Sequence, residues 1–169
     1  GGDGDKTGRK RMMKAFKEDK LECAVLSGSV STELGKGMMQ SGFCAMVWKG
    51  SLDLANFDAY ELRVRSKDGR KFFLNMSTKC YVEEVGLYQA VFHAAPDGAW
   101  HHVVVPFDNF FRTRNGMIME LQTIPQMRNV MSMAIVMNDR KDGDFHLEIE
   151  SISAIRTAKF SEPLKWMRE

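Results

Sequence analysis

The sequence predicts an all-β fold built as an antiparallel β-sandwich. Three observations indicate it: about seven to nine short segments with alternating apolar and polar residues, turns rich in Gly, Pro and Asp, and almost no helical periodicity. The short turns favour antiparallel pairing, and short strands at regular spacing are typical of a sandwich. The chain has 169 residues, 44% apolar and 27% charged, which suffices for one domain with a sizeable core.

Composition also bounds the function. The formal net charge of +2 is too small to indicate nucleic-acid binding by itself. The odd cysteine count (Cys23, Cys44 and Cys80) argues against a complete disulfide framework and fits a reducing compartment. The sequence contains no run of about twenty apolar residues, so we expect no membrane span. Because the chain begins with Gly, we expect a trimmed product that has lost a targeting peptide.

The first part of the chain is predicted as a tail followed by two strands. Residues 1–20 are predicted to form a flexible basic tail, in which residues 12–20 favour either a short basic helix or a frayed lead-in. The β-sandwich domain is predicted over residues 21–156. It begins with a strand at 21–26 and a Gly-rich polar stretch at 27–41, which predicts a loop with or without one short strand. An apolar run at 42–48, bounded by glycines, predicts a buried strand.

Residues 58–79 predict two strands joined by a turn. Alternation in the first strand places an apolar row on one face and a charged row on the other. The apolar row is Tyr60, Leu62 and Val64, and the charged row is Glu61, Arg63 and Arg65. Asp68-Gly69 predicts a tight turn, because this pair accepts the positive φ that a hairpin needs. The second strand turns Phe72, Leu74 and Met76 to one face, and we expect the two strands to form a hairpin.

The remaining strands follow the same alternation. They are predicted over residues 86–94, 100–105, 130–137 and 145–152. Pro106 ends one of them, because proline cannot donate to the strand ladder. Residues 107–126 predict a long irregular loop, and such loops in compact domains are often functional. Residues 157–169 predict a C-terminal extension.

Several segments, taken in order, resemble one protein family. They are Ser41-Gly42-Phe43-Cys44-Ala45-Met46, Leu62-Arg63-Val64-Arg65 with Asp68-Gly69-Arg70, Pro106-Phe107 with Phe110-Phe111, and DGDFHLEIE at residues 142–150. Over roughly residues 21–156 the chain is similar to the complex I intermediate-associated protein family. The resemblance implies a jelly-roll domain similar to galactose-binding and carbohydrate-binding modules.

The resemblance also implies a function. It is that of a non-enzymatic chaperone that assists the assembly of mitochondrial NADH:ubiquinone oxidoreductase. The implied location is the matrix side of the inner membrane, with at most peripheral contact, and the implied partners are subunits or assembly intermediates of that complex. No cofactor and no nucleic acid are expected. A carbohydrate- or other ligand-binding module and a stable accessory subunit remain the alternatives.

Two sets of residues are candidates for binding. Polar residues predicted to converge on one sheet face favour a groove for a peptide or a sugar, or an ordinary polar sheet face; they are Arg63, Arg65, Asn75, Gln89 and His93. Within the predicted loop, Phe110, Phe111, Arg112 and Arg114 mix aromatic and cationic side chains, which favours protein contact over nucleic-acid binding. Sugar binding favours exposed aromatic platforms, and Phe73 is one candidate on the polar face.

Catalytic and metal chemistry receive weaker support. Glu148 and Glu150 lie about 7 Å apart on one face of a strand, a spacing open to glycoside hydrolysis. The simpler interpretation is a salt-bridged face in which one of these carboxylates pairs with Arg63 or Arg65 on a neighbouring strand. Asp142 and Asp144 favour a plain turn over a calcium site. No Cys/His spacing indicates zinc, and no phosphate-binding or nucleophile motif is present.

Overall fold

The computed structural model describes residues 10–14, 24–31, 44–80 and 85–157, and these form two β-sheets. Sheet I contains β1 (Lys10–Lys14), β2 (Ala24–Val30), β4 (Ala59–Ser66), β7 (His101–Pro106) and β11 (Gly143–Ile155). Sheet II contains β3 (Cys44–Leu52), β5 (Lys71–Lys79), β6 (Val85–His93), β8 (Phe111–Arg114), β9 (Met117–Ile118) and β10 (Val130–Met137). A 3₁₀ turn at Phe107–Asn109 joins the two.

Both sheets are antiparallel. Sheet I runs in the order β1–β11–β4–β7, with β2 also paired to β11, and sheet II runs β3–β10–β5–β6–β8–β9. The predicted antiparallel sandwich is therefore confirmed. The described residues contain no helix with the length and apolar character needed to cross a bilayer.

The core lies between the sheets and follows the predicted alternation. In β4, Tyr60, Leu62 and Val64 are fully buried, while the charged residues between them are half-buried. Sheet II contributes the matching apolar rows of β5, β6 and β10. These rows are Phe72, Leu74 and Met76; Tyr88, Ala90 and Phe92; and Met133, Ile135 and Met137. Burial of one face of each sheet is what stabilises two layers against each other.

The predicted hairpin over residues 58–79 is wrong in its pairing, although both strands exist. β4 pairs with β11 and β7, whereas β5 pairs with β10 and β6, so residues 67–70 carry the chain from one sheet to the other. Gly69 has the expected positive φ of 61°. A turn sequence specifies this local backbone shape, but it does not specify whether the two strands bond to each other.

Three elements differ from the predicted pattern. β2 continues to Val30, into residues predicted as loop. The predicted irregular stretch 107–126 contains the small hairpin of β8 and β9. β11 extends to Ile155, because a bulge between Ile149 and Ser151 shifts the alternation and lets Ile152 face the core.

The N-terminal prediction is corrected for the residues that the structure describes. Lys10–Lys14 forms β1 on the edge of β11, where a flexible tail or helix was expected. An unpaired β11 edge offers backbone donors and acceptors, and these override a weak local helix preference. Residues 1–9, 15–23, 32–43, 81–84 and 158–169 lie outside the described part, and the predicted domain boundaries at 21, 156 and 157 remain predictions.

Candidate functional site

The outer face of sheet I is a network of paired charges. Arg65 Nε lies 2.5 Å from Glu148 Oε2, and Arg65 Nη2 lies 2.9 Å from Glu148 Oε1, which makes a bidentate pair. Arg63 forms a second ion pair with Glu150. The predicted pairing between the charged rows of β4 and β11 is confirmed. Glu148 and Glu150, whose spacing is open to glycoside hydrolysis, are therefore both paired with arginines.

Trp100 extends this network toward β7. The guanidinium carbons of Arg65 and Arg63 lie 4.7 and 5.7 Å from the centre of its indole ring, within cation–π range. His102 lies between Arg63 and Glu61, with 3.3 Å from Arg63 Nη1 to His102 Nε2 and 3.3 Å from His102 Nδ1 to Glu61 Oε1. An external partner at this face would have to compete with these internal contacts.

A cleft of about 520 Å³ opens beside this network. Its lining residues come from the end of β4, the turn before β7 and β11; they are Arg65, Ser66, Lys67, Gly98, His146 and Glu148. Asp68 connects two of these lining residues, because its carboxylate accepts from the backbone N–H of His146 at 2.7 Å and from the Ser66 hydroxyl at 2.9 Å. Arg65 and Glu148, which also line the cleft, are paired with each other.

Arg70 links the sheet-to-sheet connection to the turn before β11. Its Nε and Nη2 lie 2.6 and 2.7 Å from the two carboxylate oxygens of Asp139, and it also donates to the carbonyl oxygens of Lys141 and Asp144. The hydrogen bonds from Arg70 hold the pKa of Asp139 below its usual value, and those to Asp139 raise the pKa of Arg70. This pair fixes the end of the sandwich at which both turns lie.

The predicted convergence of five polar residues on one face is wrong. Arg63 and Arg65 lie on sheet I, whereas Asn75, Gln89 and His93 lie on sheet II. Because the inner faces of the two sheets pack together, their outward rows point in opposite directions. The prediction failed for the same reason as the hairpin, since it assumed that β4 and β5 share a sheet.

The outer face of sheet II is mainly apolar. We define it by three cross-strand rows read from the register. They are Ala45–Val136–Phe73–Val91; Val47–Ala134–Asn75–Gln89–Phe111; and Lys49–Ser132–Ser77–Leu87–Thr113–Ile118. Val47 is 56% exposed, Leu87 50% and Val91 38%. Antiparallel sheets with one solvated face usually carry polar residues there, so this apolar face is unusual.

Two amides lie at the centre of this face. Asn75 and Gln89 are cross-strand neighbours in the middle row. Asn75 Oδ1 is buried and has no hydrogen-bond partner in the described structure. An acceptor left unpaired in this way costs about 1–3 kcal/mol. His93 lies at the margin, opposite Lys71.

The four candidates of the predicted loop separate into buried and exposed members. Phe110 is buried and packs edge-on against Tyr60, with ring centres 5.7 Å apart. Arg112 is also buried, and its Nη1 donates to the carbonyl of Leu121 at 3.0 Å. The expectation that these two lie on a contact loop is corrected: both support the fold. Phe111 joins the outer face of sheet II beside Gln89, and Arg114 is exposed where β8 ends.

Exposed apolar residues next to β9 were missed by the sequence analysis. Met117, Ile118, Leu121 and Ile124 are all exposed and continue the apolar surface past the sheet edge. One sequence feature points to this surface. Residues 42–48 and 130–137 are apolar on both faces of their strands, a pattern typical of strands that are buried on both faces. In the described structure the inner face of these strands is covered, whereas Val47 is open on the outer face.

Cysteine and metal chemistry have little basis in the described part of the chain. No three His, Cys, Asp or Glu side chains there come together as a metal site requires. Cys80 lies 3.5 Å from the Thr123 hydroxyl and 3.9 Å from the Tyr88 hydroxyl. Burial raises the pKa of Tyr88, whose hydroxyl bonds to Thr123 at 2.8 Å. This cluster anchors the segment after β9 to sheet II.

Several solved structures of similar fold are carbohydrate-binding modules. A family 11 module from Clostridium thermocellum, in complex with a β-1,3-1,4-mixed-linked tetrasaccharide, has a TM-score of 0.53 and 18% identity, over 90% of this chain and 98% of that one. A family 30 module of a cellulosomal cellulase of Clostridium thermocellum has a TM-score of 0.53 and 14% identity, over 89% and 98%. At this identity the likeness establishes the jelly-roll fold alone.

Proteins similar to this chain in sequence are not described as carbohydrate-binding modules. The mitochondrial complex I intermediate-associated protein 30 of Mus musculus is 29% identical over 152 residues, which cover 82% of this chain and 46% of the relative. The corresponding protein of Caenorhabditis elegans, described as probable, is 28% identical over 142 residues, covering 76% and 42%. The chain thus spans less than half the length of each. The family model for complex I intermediate-associated protein 30 matches residues 8–149, and the chain therefore belongs to the CIA30 family.

Proposed function

We propose that this chain is a non-catalytic protein-binding module that acts as an assembly chaperone for mitochondrial respiratory complex I. The observation that carries the proposal is the family match over residues 8–149, which includes β1 to β10 and the first half of β11. The curated relatives are named for intermediates of complex I. A sandwich with one self-paired face and one apolar face supports this proposal, because an apolar face suits protein contact.

Binding is favoured over catalysis by what the charged groups already do. Glu148 and Glu150 each pair with an arginine, which gives both carboxylates a structural role in sheet I. The candidate contact residues are those that reach the surface of sheet II or its edge. They are Asn75, Gln89, His93, Phe111 and Arg114, while Arg63 and Arg65 are secondary candidates on sheet I.

The proposed partners are subunits of the membrane complex or its assembly intermediates. The relatives are named mitochondrial, and we propose the matrix side of the inner membrane with at most peripheral contact. An assembly chaperone binds intermediates and leaves before completion. A permanent accessory subunit, which is the alternative, stays in the finished complex.

Complementation tests this proposal. The chain, carrying an affinity tag and a mitochondrial targeting peptide, is expressed in cells whose own family member has been deleted. We expect native gels to show restored complex I and to show the tag in subcomplexes smaller than the mature enzyme. Loss of both effects would refute the proposal. The tag in mature complex I would support the accessory subunit, and specific retention on mixed-linkage β-glucan without rescue would support a sugar-binding module.

A further inference from the structure

We propose that the outer face of sheet II docks an apolar polypeptide segment that is flanked by carboxylates. This inference rests on the proposed function in one respect, namely that the ligand is a protein. It adds the surface and the chemistry of the segment that the surface takes. Apolar area, charge and hydrogen bonding each contribute to the argument.

Apolar side chains from each long strand of sheet II surround the polar pair Asn75 and Gln89 on the outer face. Val47, Val136, Phe73 and Val91 come from four neighbouring strands, and the register places them in adjacent rows. Leu87 and Ile118 extend the surface to the far edge. Several of these side chains are more than one third exposed, so a partner that covers them removes apolar surface from water.

The charge on this sheet has one sign. The strands of sheet II, β3, β5, β6, β8, β9 and β10, contain no Asp or Glu. They contain Lys49, Lys71 and Lys79, whose strand positions place them on the outward rows at the margin of the apolar area. Sheet I differs, because its arginines are matched by glutamates. A segment with carboxylates beside an apolar centre is complementary to sheet II, and a basic segment would be repelled.

A polypeptide fits this face better than a lipid surface. Asn75 and Gln89 are cross-strand neighbours in the middle row, and the amide oxygen of Gln89 can accept a hydrogen bond from a backbone N–H of a bound polypeptide. Acyl chains have no donor to offer at that position. Polar groups placed at the centre of an apolar area orient a ligand more than they add affinity, and this suits an extended backbone.

A second copy of the chain and its own C-terminal segment are poorer occupants. Two copies packed face to face would bring lysines of both margins together, which costs energy unless other charges intervene. Residues 158–169 contain three cations, Lys159, Lys165 and Arg168, against the carboxylates of Glu162 and Glu169. Neither a second copy nor residues 158–169 carries an excess of carboxylates that would complement the lysines at the margin of sheet II.

Site-specific photo-crosslinking in mitochondria that are assembling complex I tests the proposal. Benzoylphenylalanine replaces Val47 or Val91 on sheet II, or Val104 on sheet I as the matched control, since Val104 is 46% exposed. We expect the two sheet II positions to crosslink one apolar peptide bounded by Asp or Glu, at least tenfold above Val104. The double variant Lys49→Glu, Lys71→Glu should lower that yield about tenfold, whereas Lys67→Glu, an exposed lysine in the sheet-to-sheet turn, should not.

The outcomes separate this inference from the proposed function. Crosslinks to lipid, to a second copy, to residues 158–169 or to a basic segment would overturn it, and so would equal yields at Val104. If complex I subunits are captured only through Val104, the inference fails while the proposed function stands. If sheet II captures an acidic-flanked apolar segment of a protein outside complex I, the inference stands and the proposed function fails. Thermal melts of each variant confirm that it is folded.

Discussion

The pair of Arg70 and Asp139 offers a quantitative test of what holds the sandwich together. Arg70 lies immediately before β5, and Asp139 lies in the turn between β10 and β11. The pair therefore joins the β4–β5 connection to the β10–β11 connection. The Asp139 side chain is 2% exposed and that of Arg70 11%. Replacing Arg70 by Met keeps most of the apolar stem and removes the charge together with its four hydrogen bonds to Asp139, Lys141 and Asp144.

The expected loss of stability follows from this burial. Removing one member of a buried ion pair costs about 3–5 kcal/mol, because the remaining charge is left without a partner. The pair lies at an end of the sandwich, where water can enter once the arginine is gone, so we expect about 3 kcal/mol for Arg70→Met. For a chain of this size that corresponds to a fall in Tm of about 6–12 °C.

The same ion pair should also make the stability of the protein depend on pH in the acid range. Arg70 lowers the pKa of Asp139 below its ordinary 3.8, so the ionised carboxylate stabilises the folded state. That contribution is fully present above the unfolded pKa, near pH 4, and is lost as the pH falls through the lower, folded pKa. Asp139→Asn removes this titration, and its free energy of unfolding should depend less on pH below about pH 4 than that of the wild type.

Chemical denaturation at pH 7 and at decreasing pH measures both effects. Arg128→Met is the matched control, because Arg128 is exposed, and its change should stay within about 0.5 kcal/mol. The double variant Arg70→Met, Asp139→Leu should lose less than the sum of the single variants, since no unpaired charge remains. The reasoning is refuted if Arg70→Met matches the control, or if the double variant loses the full sum.

Substitutions at three further positions test separate parts of the fold. Gly69→Ala should cost about 1 kcal/mol in the free energy of unfolding, because Gly69 has a φ of 61°; equal stability would contradict this. Tyr60→Phe should change stability by less than about 1 kcal/mol, since its hydroxyl bonds only to a thioether sulfur, and Tyr60→Ala should cost about 3–5 kcal/mol. Burial raises the pKa of Tyr60, so wild-type stability should fall as the pH rises above about 10, and Tyr60→Phe should reduce that fall. Arg65→Ala should cost only about 1 kcal/mol, because the pair is partly exposed, yet it should alter the fluorescence of Trp100.

Features that depend on alternation within one strand could be predicted from the sequence. The fold class and the inward rows of β4, β5, β6 and β11 follow from period-two patterns. The pairing of β4 with β11 was also predictable, because a row of arginines on one strand and a row of glutamates on another are complementary at the same spacing.

Decisions that depended on which strands share a sheet were not predictable. Asp68-Gly69 turns the chain in the expected way, but the hydrogen bonds of β4 and β5 go to strands far away in the sequence. The burial of Phe110 and Arg112 was hidden for the same reason, since a short loop pattern does not reveal the hairpin of β8 and β9. Local patterns fix local shape, whereas sheet membership is settled by contacts between distant residues.

The arginines of sheet I are poorer candidates for partner contact than their prominence in the sequence indicates. Arg63 and Arg65 are prominent in the sequence, but an external partner at sheet I would have to break or desolvate the pairs with Glu150 and Glu148, which opposes binding. A partner at the outer face of sheet II buries apolar side chains, which contributes a favourable free energy of about 25 cal/mol per Å² of apolar surface. It meets lysines at the margin of this face only. Because the charged residues of sheet I are paired with each other, we expect recognition on sheet II, whose strands carry basic residues without acidic ones around a mainly apolar centre.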